Sequence, residues 1–269
     1  MSQLSNKLLK LKEVLSGYDS LLIAYSGGVD STFLAKVAYD VLGDKAAAVT
    51  ATSYSYPQRE LSDAKEFANQ IKIKHIIVTS EELDVDGFSS NPANRCYMCK
   101  KELYTRLKNV AAEYGIEAIA EASNVDDEGD YRPGMQATKE LGIISPLRLA
   151  NLTKNDIREL SKDLGLPTWS KPSFACLSSR FPYGDEITKE KLKMVEEAEQ
   201  FLFDLGFVQL RVRHHNDLAR IEVEEAEFDK LLNKETREKI CSKLKAIGFT
   251  YVSIDIKGYR MGSMNETLK

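Results

Sequence analysis

The string Ser26-Gly27-Gly28-Val29-Asp30-Ser31 combines the residue types that a polyphosphate needs. Glycines let the backbone approach an anion and aim successive N–H groups at it. Ser26 and Ser31 add hydroxyl donors, and a helix that begins here contributes its positive end. Asp30 is out of place beside phosphate unless a Mg²⁺ ion lies between the two. No lysine follows at the spacing of Gly-x-x-x-x-Gly-Lys-Ser/Thr, and Gly-x-Gly-x-x-Gly is absent, so neither of those phosphate loops is in play. By residue type alone the alternative is a glycine-rich strand-to-helix turn with a capping serine.

A second group of reactive residues is the cysteines Cys96, Cys99, Cys176 and Cys241. Cys96 and Cys99 stand about one helical turn apart and can share a metal, and Lys100, Lys101 and a helix N-terminus favour thiolates there. A structural zinc site wants four ligands, whereas this stretch offers two thiols and no nearby histidine. Cys176 raises the count to three. Three thiolates can hold a [4Fe–4S] cluster with one iron left open, and an open iron can carry a sulfide nucleophile. Cys241, beside Ile240 and Leu244, reads as a small buried hydrophobe.

These residues need elements to position them. Leu21–Tyr25 and Ala46–Ala51 read as buried strands, Ile73–Val78 as a third strand rich in β-branched residues and Ile116–Ala120 as a fourth. Helical patterns separate them over Ser31–Leu42, from Pro57 to about Gln70, and over Cys96–Tyr114. This rhythm predicts an α/β fold, a parallel sheet with helices on both faces. Thr153 with Asp156 resembles a capping pair, and Trp169–Gly184 is irregular in the way functional segments often are. From Thr188 the order becomes helix, paired strands, two helices, strand. That predicts a smaller C-terminal α+β domain, residues 186–269, after an N-terminal domain of residues 1–185. Thr52, Ser53, Glu121 and Asn124 follow strands, at the carboxyl edge where ligands bind open α/β sheets. Arg211 and Arg213 share one face of a strand, which solvent exposure explains equally well, and a solvated helix face explains Glu199. His214 and His215 point opposite ways, so at most one faces a site.

The 269 residues carry 37 Lys and Arg against 41 Asp and Glu, a formal net charge of −4. That disfavours a nucleic-acid binder with a strongly basic surface. No apolar run approaches the ~18 residues of a membrane helix. No secretion signal is read at the start, so the expected compartment is the cytoplasm, where thiols stay reduced.

The six-residue loop resembles the SGGxDS signature of the PP-loop ATP pyrophosphatase superfamily. Asp130-Tyr131-Arg132-Pro133-Gly134, Ser173 to Gly184, Arg211-Val212-Arg213 with His215-Asn216-Asp217, and Gly258-Tyr259-Arg260 through Asn265 narrow the resemblance to the LarE sulfur transferases. The resemblance implies a PP-loop fold that uses ATP and Mg²⁺. It further implies the substrate pyridinium-3,5-biscarboxylic acid mononucleotide, the precursor of the nickel-pincer nucleotide of lactate racemase. ATP adenylylates a carboxylate, pyrophosphate leaves, and sulfur replaces AMP to give a thiocarboxylate. It implies that Ser26, Gly27, Gly28, Val29, Asp30 and Ser31 bind the nucleotide phosphates, that Thr52, Ser53, Glu121 and Asn124 lie near the nucleoside, and that Ser179, Arg180, Glu199, Arg211 and Arg213 serve the substrate. Arginine suits that work because its planar fork pairs with carboxylate and phosphate.

The family delivers sulfur in two ways. A single cysteine at the position of Cys176 gives up its own sulfur, or three cysteines hold a [4Fe–4S] cluster. With Cys96, Cys99 and Cys176 present, this chain resembles the cluster type. Sacrifice of Cys176 beside a structural Cys96–Cys99 pair is the alternative. The resemblance also implies a homo-oligomer, a hexamer. Rival readings are an amidating PP-loop enzyme, a tRNA thiolase and a non-catalytic nucleotide sensor. The first leaves three cysteines unexplained, the second favours a basic surface, and the third would bind ATP without releasing pyrophosphate.

Overall fold

A computed structural model describes residues 3–127 and 133–268. Asp130, Tyr131 and Arg132 lie outside the described residues. The chain divides into two compact units, one of Met1–Val85 with Asn94–Phe174 and one of Asp86–Ala93 with Ala175–Lys269. The expected boundary at residue 185 lies within the second unit, because the irregular segment before it packs there. Asn91 explains this locally: its side-chain amide donates to the carbonyls of Phe181 and Pro182, and its own carbonyl accepts from Gly184 N–H.

The first unit runs α1 (Gln3–Ser16), β1 (Leu21–Ala24), α2 (Val29–Leu42), β2 (Ala46–Thr52), α3 (Gln58–Ile71), β3 (Lys74–Thr79), α4 (Arg95–Tyr114), β4 (Ala118–Ala120), α5 (Gly134–Glu140), α6 (Pro146–Leu149) and α7 (Lys154–Asp163). Its four strands are parallel in the order β3-β2-β1-β4. Strand alternation divides the core. Leu21, Ile23, Ala46 and Ala48 pack with α1, α2, α3 and α7, whereas Leu22, Ala47, Val49 and Ile119 pack with Tyr104, Leu107 and Ala111 of α4. Helices therefore cover both faces, as the sequence rhythm predicts. β4 is shorter than expected because Ile116 donates its N–H to Ala111, closing α4 around Gly115 at φ +64°. The Thr153–Asp156 pair forms a complete capping box at α7, with Asp156 N–H on Thr153 Oγ1 at 3.1 Å and Thr153 N–H on Asp156 Oδ2 at 2.8 Å.

The second unit adds α8 (Lys189–Asp204), β5 (Leu210–His215), β6 (Leu218–Val223), α9 (Phe228–Leu232), α10 (Lys234–Ile247) and β7 (Tyr251–Ile254). β6 is central, antiparallel to β5 and parallel to β7. Leu202, Leu210, Val212, Ile221, Val223, Leu244 and Phe249 form its core. His214 is buried between the rings of Phe181 and Phe249, with centroids 5.1 and 5.4 Å away. Burial, aided by Lys191, pushes its pKa down to about 4. The unfolded chain takes up this proton near pH 6.5 and the folded chain only near 4. Stability linked to His214 is thus fully present above about pH 6.5 and is lost as pH falls toward 4. Thermal melts across that window should show a falling midpoint, and His214→Phe should flatten the part due to this ring.

Candidate active site

In the first unit, β1 has β2 on one side and β4 on the other. The chain runs outward from β1 to β3 before returning to the far side of β1. The carboxyl end of β1 is therefore the switch point of the sheet, where α/β folds open a ligand crevice. The loop Ser26–Gly28 sits there and leads directly into α2, with Gly28 as its N-cap residue. Gly27 adopts φ +66°, and a Cβ on it would lie 2.8 Å from Ala64 Cα, so both conformation and the close approach of α3 require glycine. Ser26 N–H donates to Ser31 Oγ at 3.2 Å, the two hydroxyls are 3.1 Å apart, and Tyr56 Oη donates to the Ser26 carbonyl at 2.9 Å.

Asp30 lies in the first turn of α2, where Lys154 Nζ meets its Oδ2 at 2.5 Å. Its Oδ1 is buried without a hydrogen-bond partner. Burial raises the Asp30 carboxyl above the ordinary range, against the lowering pull of Lys154. An orphaned carboxylate oxygen at a phosphate loop matches the way Mg²⁺ is held, by one or two carboxylates together with substrate phosphates. The donor chemistry therefore fits that ion. Thr52 ends β2 and Ser53 follows it, and Glu121 and Asn124 follow β4, so all four lie on the same sheet edge as the loop. Thr52 Oγ1 donates to the Val78 carbonyl, Ser53 and Ser55 hydroxyls are 3.3 Å apart, Glu121 accepts from Ser123 and Ser145, and Asn124 Oδ1 accepts from Asp126 N–H.

Two lysines that no sequence motif marks also reach this loop. Lys171 Nζ contacts the Gly27 carbonyl at 3.4 Å and pairs with Asp63 at 2.7 Å and Glu60 at 2.9 Å. Lys154 pairs with Asp30 as above. Their distance along the chain, 144 and 124 residues from their loop partners, hides them from any local pattern.

Cys96 and Cys99 lie in the first turns of α4, Cys96 exposed and Cys99 half-buried. Gly134 packs on that turn: a Cβ there would lie 2.7 Å from Lys100 Cδ and 3.3 Å from the Cys96 carbonyl. Lys100 Nζ stands 3.7 Å from Glu121. In the second unit Cys176 is exposed, and Cys241, expected to be buried, is half-buried on α10. Among the described residues no cysteine is in a disulfide, and no three His, Cys, Asp or Glu side chains form a ready metal group. By ligand type, three thiolates suit an iron–sulfur cluster.

The second unit gathers Ser179, Arg180, Glu199, Arg211 and Arg213. Arg211 and Arg213 on β5 are 3 and 5% exposed, and Glu199 on α8 is 3% exposed, so none sits on a solvated face. Arg213 donates to the Ser179 carbonyl at 3.1 Å, to Glu222 at 2.7 Å and to Ser263 Oγ at 2.8 Å, while its buried Nε lacks a partner. Arg211 lies over the Tyr259 ring at 5.0 Å. Burial, then the nearby Arg180 charge, pushes the Arg211 pKa down to about 10, the mark of a buried site rich in positive charge. Burial would raise the Glu199 carboxyl, but Arg180 outweighs it and holds Glu199 below the ordinary range. His215 accepts from Arg220 at 3.2 Å, and His214 is in the core, so neither histidine joins this group.

Known proteins resemble this chain in part or along its whole length. The NAD synthase family pattern matches residues 3–117. A glutamine-hydrolysing GMP synthase component of Saccharolobus solfataricus is 28% identical over 211 residues, 69% of this chain and 55% of that protein. Those matches leave part of the chain unaccounted for. Two others span it. An uncharacterized protein of Synechocystis sp. is 45% identical over 265 residues, covering 98% of this chain and 99% of that one. The pyridinium-3,5-bisthiocarboxylic acid mononucleotide synthase of Lactiplantibacillus plantarum is 38% identical over 269 residues, covering 100% of this chain and 97% of that protein. With the phosphate loop, the cysteines and the arginine group all inside that full-length match, the chain belongs to the pyridinium-3,5-bisthiocarboxylic acid mononucleotide synthase (LarE) family of PP-loop proteins.

Proposed function

We propose that this protein is an ATP-dependent sulfur transferase that converts pyridinium-3,5-biscarboxylic acid mononucleotide toward its thiocarboxylate, the nickel-pincer precursor. The full-length likeness to the synthase, with a PP-loop at the sheet's switch point, carries this reading. A carboxylate oxygen is a poor leaving group, and adenylylation makes it a good one. The loop N–H groups and the hydroxyls of Ser26 and Ser31 hold the phosphates, and Lys154 and Lys171 offset pyrophosphate charge. A Mg²⁺ ion held by Asp30 would supply further charge neutralisation there. Thr52, Ser53, Glu121 and Asn124 border the nucleoside. Ser179, Arg211 and Arg213 bind the anionic groups of the substrate. Cys176 carries the sulfur step. A [4Fe–4S] cluster on Cys96, Cys99 and Cys176, when bound, would relay sulfide from an external donor to the activated carboxylate over many turnovers. The family resemblance extends the reading to a homo-oligomer, a hexamer, in the cytoplasm. Among the described residues no helix is long and apolar enough to cross a membrane.

The test is direct. Purified protein with ATP, Mg²⁺ and the dicarboxylate mononucleotide should release pyrophosphate and AMP and give a product whose mass shows oxygen exchanged for sulfur. Nucleotide binding without pyrophosphate would point to the sensor reading. Arg211→Ala is expected to weaken mononucleotide binding by about 10- to 100-fold, the loss of one or two charge-assisted hydrogen bonds, and to leave ATP binding intact. Equal losses in both affinities would mark a folding defect instead.

A further inference from the structure

Arg180 follows Cys176 by four residues and is wholly buried, at 0% exposure. Each nitrogen of its guanidinium meets a protein acceptor. Nε and Nη2 fork onto the two Glu199 oxygens at 2.9 and 2.8 Å. Nη1 reaches the carbonyls of Ala175 and Cys176 at 2.7 and 3.1 Å and Ser179 Oγ at 2.9 Å. The Cys176 carbonyl also accepts from Ser179 N–H at 3.0 Å. Glu199 is fixed in turn, because its Oε1 accepts the Val212 N–H of β5 at 2.9 Å. A line of hydrogen bonds thus runs from β5 through Glu199 and Arg180 to the backbone of an exposed cysteine.

A guanidinium turned this way has neither exposure nor an idle nitrogen to offer an incoming anion. We propose that Arg180 and Glu199 are positioning residues for Cys176, holding its backbone so that the exposed Sγ is presented at one place, and that neither contacts substrate. The inference rests on the reading of Cys176 as the sulfur-bearing residue. Only arginine suits the post, because a lysine ammonium is a point charge and cannot fork onto a carboxylate while also bracing two carbonyls. Misplacement of a reacting atom by about 1 Å can cost about 100-fold in rate.

The experiment compares the full-length protein with Arg180→Lys and Glu199→Gln in sulfur transfer, varying the mononucleotide. The expected result is a fall in kcat of about 100-fold with KM little changed and first-turnover pyrophosphate retained. A raised KM at unchanged kcat would show direct substrate contact and overturn the inference. Iodoacetamide labelling of the iron-free protein, read by peptide mass, supplies the second readout. Cys176 should change its rate while Cys241, in the same unit, keeps its own. An unchanged Cys176 rate, or equal changes at both cysteines, would also overturn it. If the unsubstituted protein transfers no sulfur, the underlying functional reading fails. If it does and the variants differ only in KM, the positioning role alone fails.

Discussion

Asp30→Ala is expected to stop pyrophosphate release, with a fall of at least about 100-fold in the adenylylation step. The carboxylate sits in the first turn of α2 behind the phosphate loop, with one oxygen on Lys154 and the other buried without a partner. On the proposed reading, removing it takes away a Mg²⁺ ligand, and it frees Lys154 at once. Asp30→Asn separates these effects, since it keeps the shape and discards the charge. Both variants should keep the fold, because Lys154 remains partly exposed and can turn to water. Pyrophosphate assays with ATP and Mg²⁺, paired with melting curves, make the check. Retained release in a folded Asp30→Ala protein would remove Asp30 from the phosphate site.

Cys176→Ala should abolish sulfur transfer and spare pyrophosphate release. The phosphate loop belongs to the first unit and Cys176 to the second, so the change leaves the loop's own residues as they are. Iron and acid-labile sulfide measured after anaerobic reconstitution then decide how the sulfur arrives. About four irons per chain, lost in Cys176→Ala and in Cys96→Ala or Cys99→Ala, mark the cluster route. No iron, with a Cys176 that loses its sulfur after one turnover, marks a single-use donor and returns the Cys96–Cys99 pair to a structural role. Pyrophosphate release lost together with sulfur transfer would contradict the separation of the two steps.

What the sequence alone determined was local or periodic. Continuous apolar runs are enough to define the strands and the helices between them, because burial on both faces demands apolar residues at successive positions of β1 and β2, whereas β3, at the sheet edge, stays partly exposed. The phosphate loop is equally legible, since close approach to an anion and the left-handed turn at Gly27 admit few residue types. The capping box from Thr153 to Asp156 spans only four residues. The tertiary structure decided what depends on distant partners. It placed the segment 86–93 with the second unit through Asn91, and it brought Lys154 and Lys171 to the loop. It also buried Glu199, which sequence reads equally well as a solvated helix face, by supplying Arg180 as a counter-charge and Val212 N–H as a donor. A charged side chain leaves water only when such partners surround it, and a linear pattern does not record which partners the fold will bring.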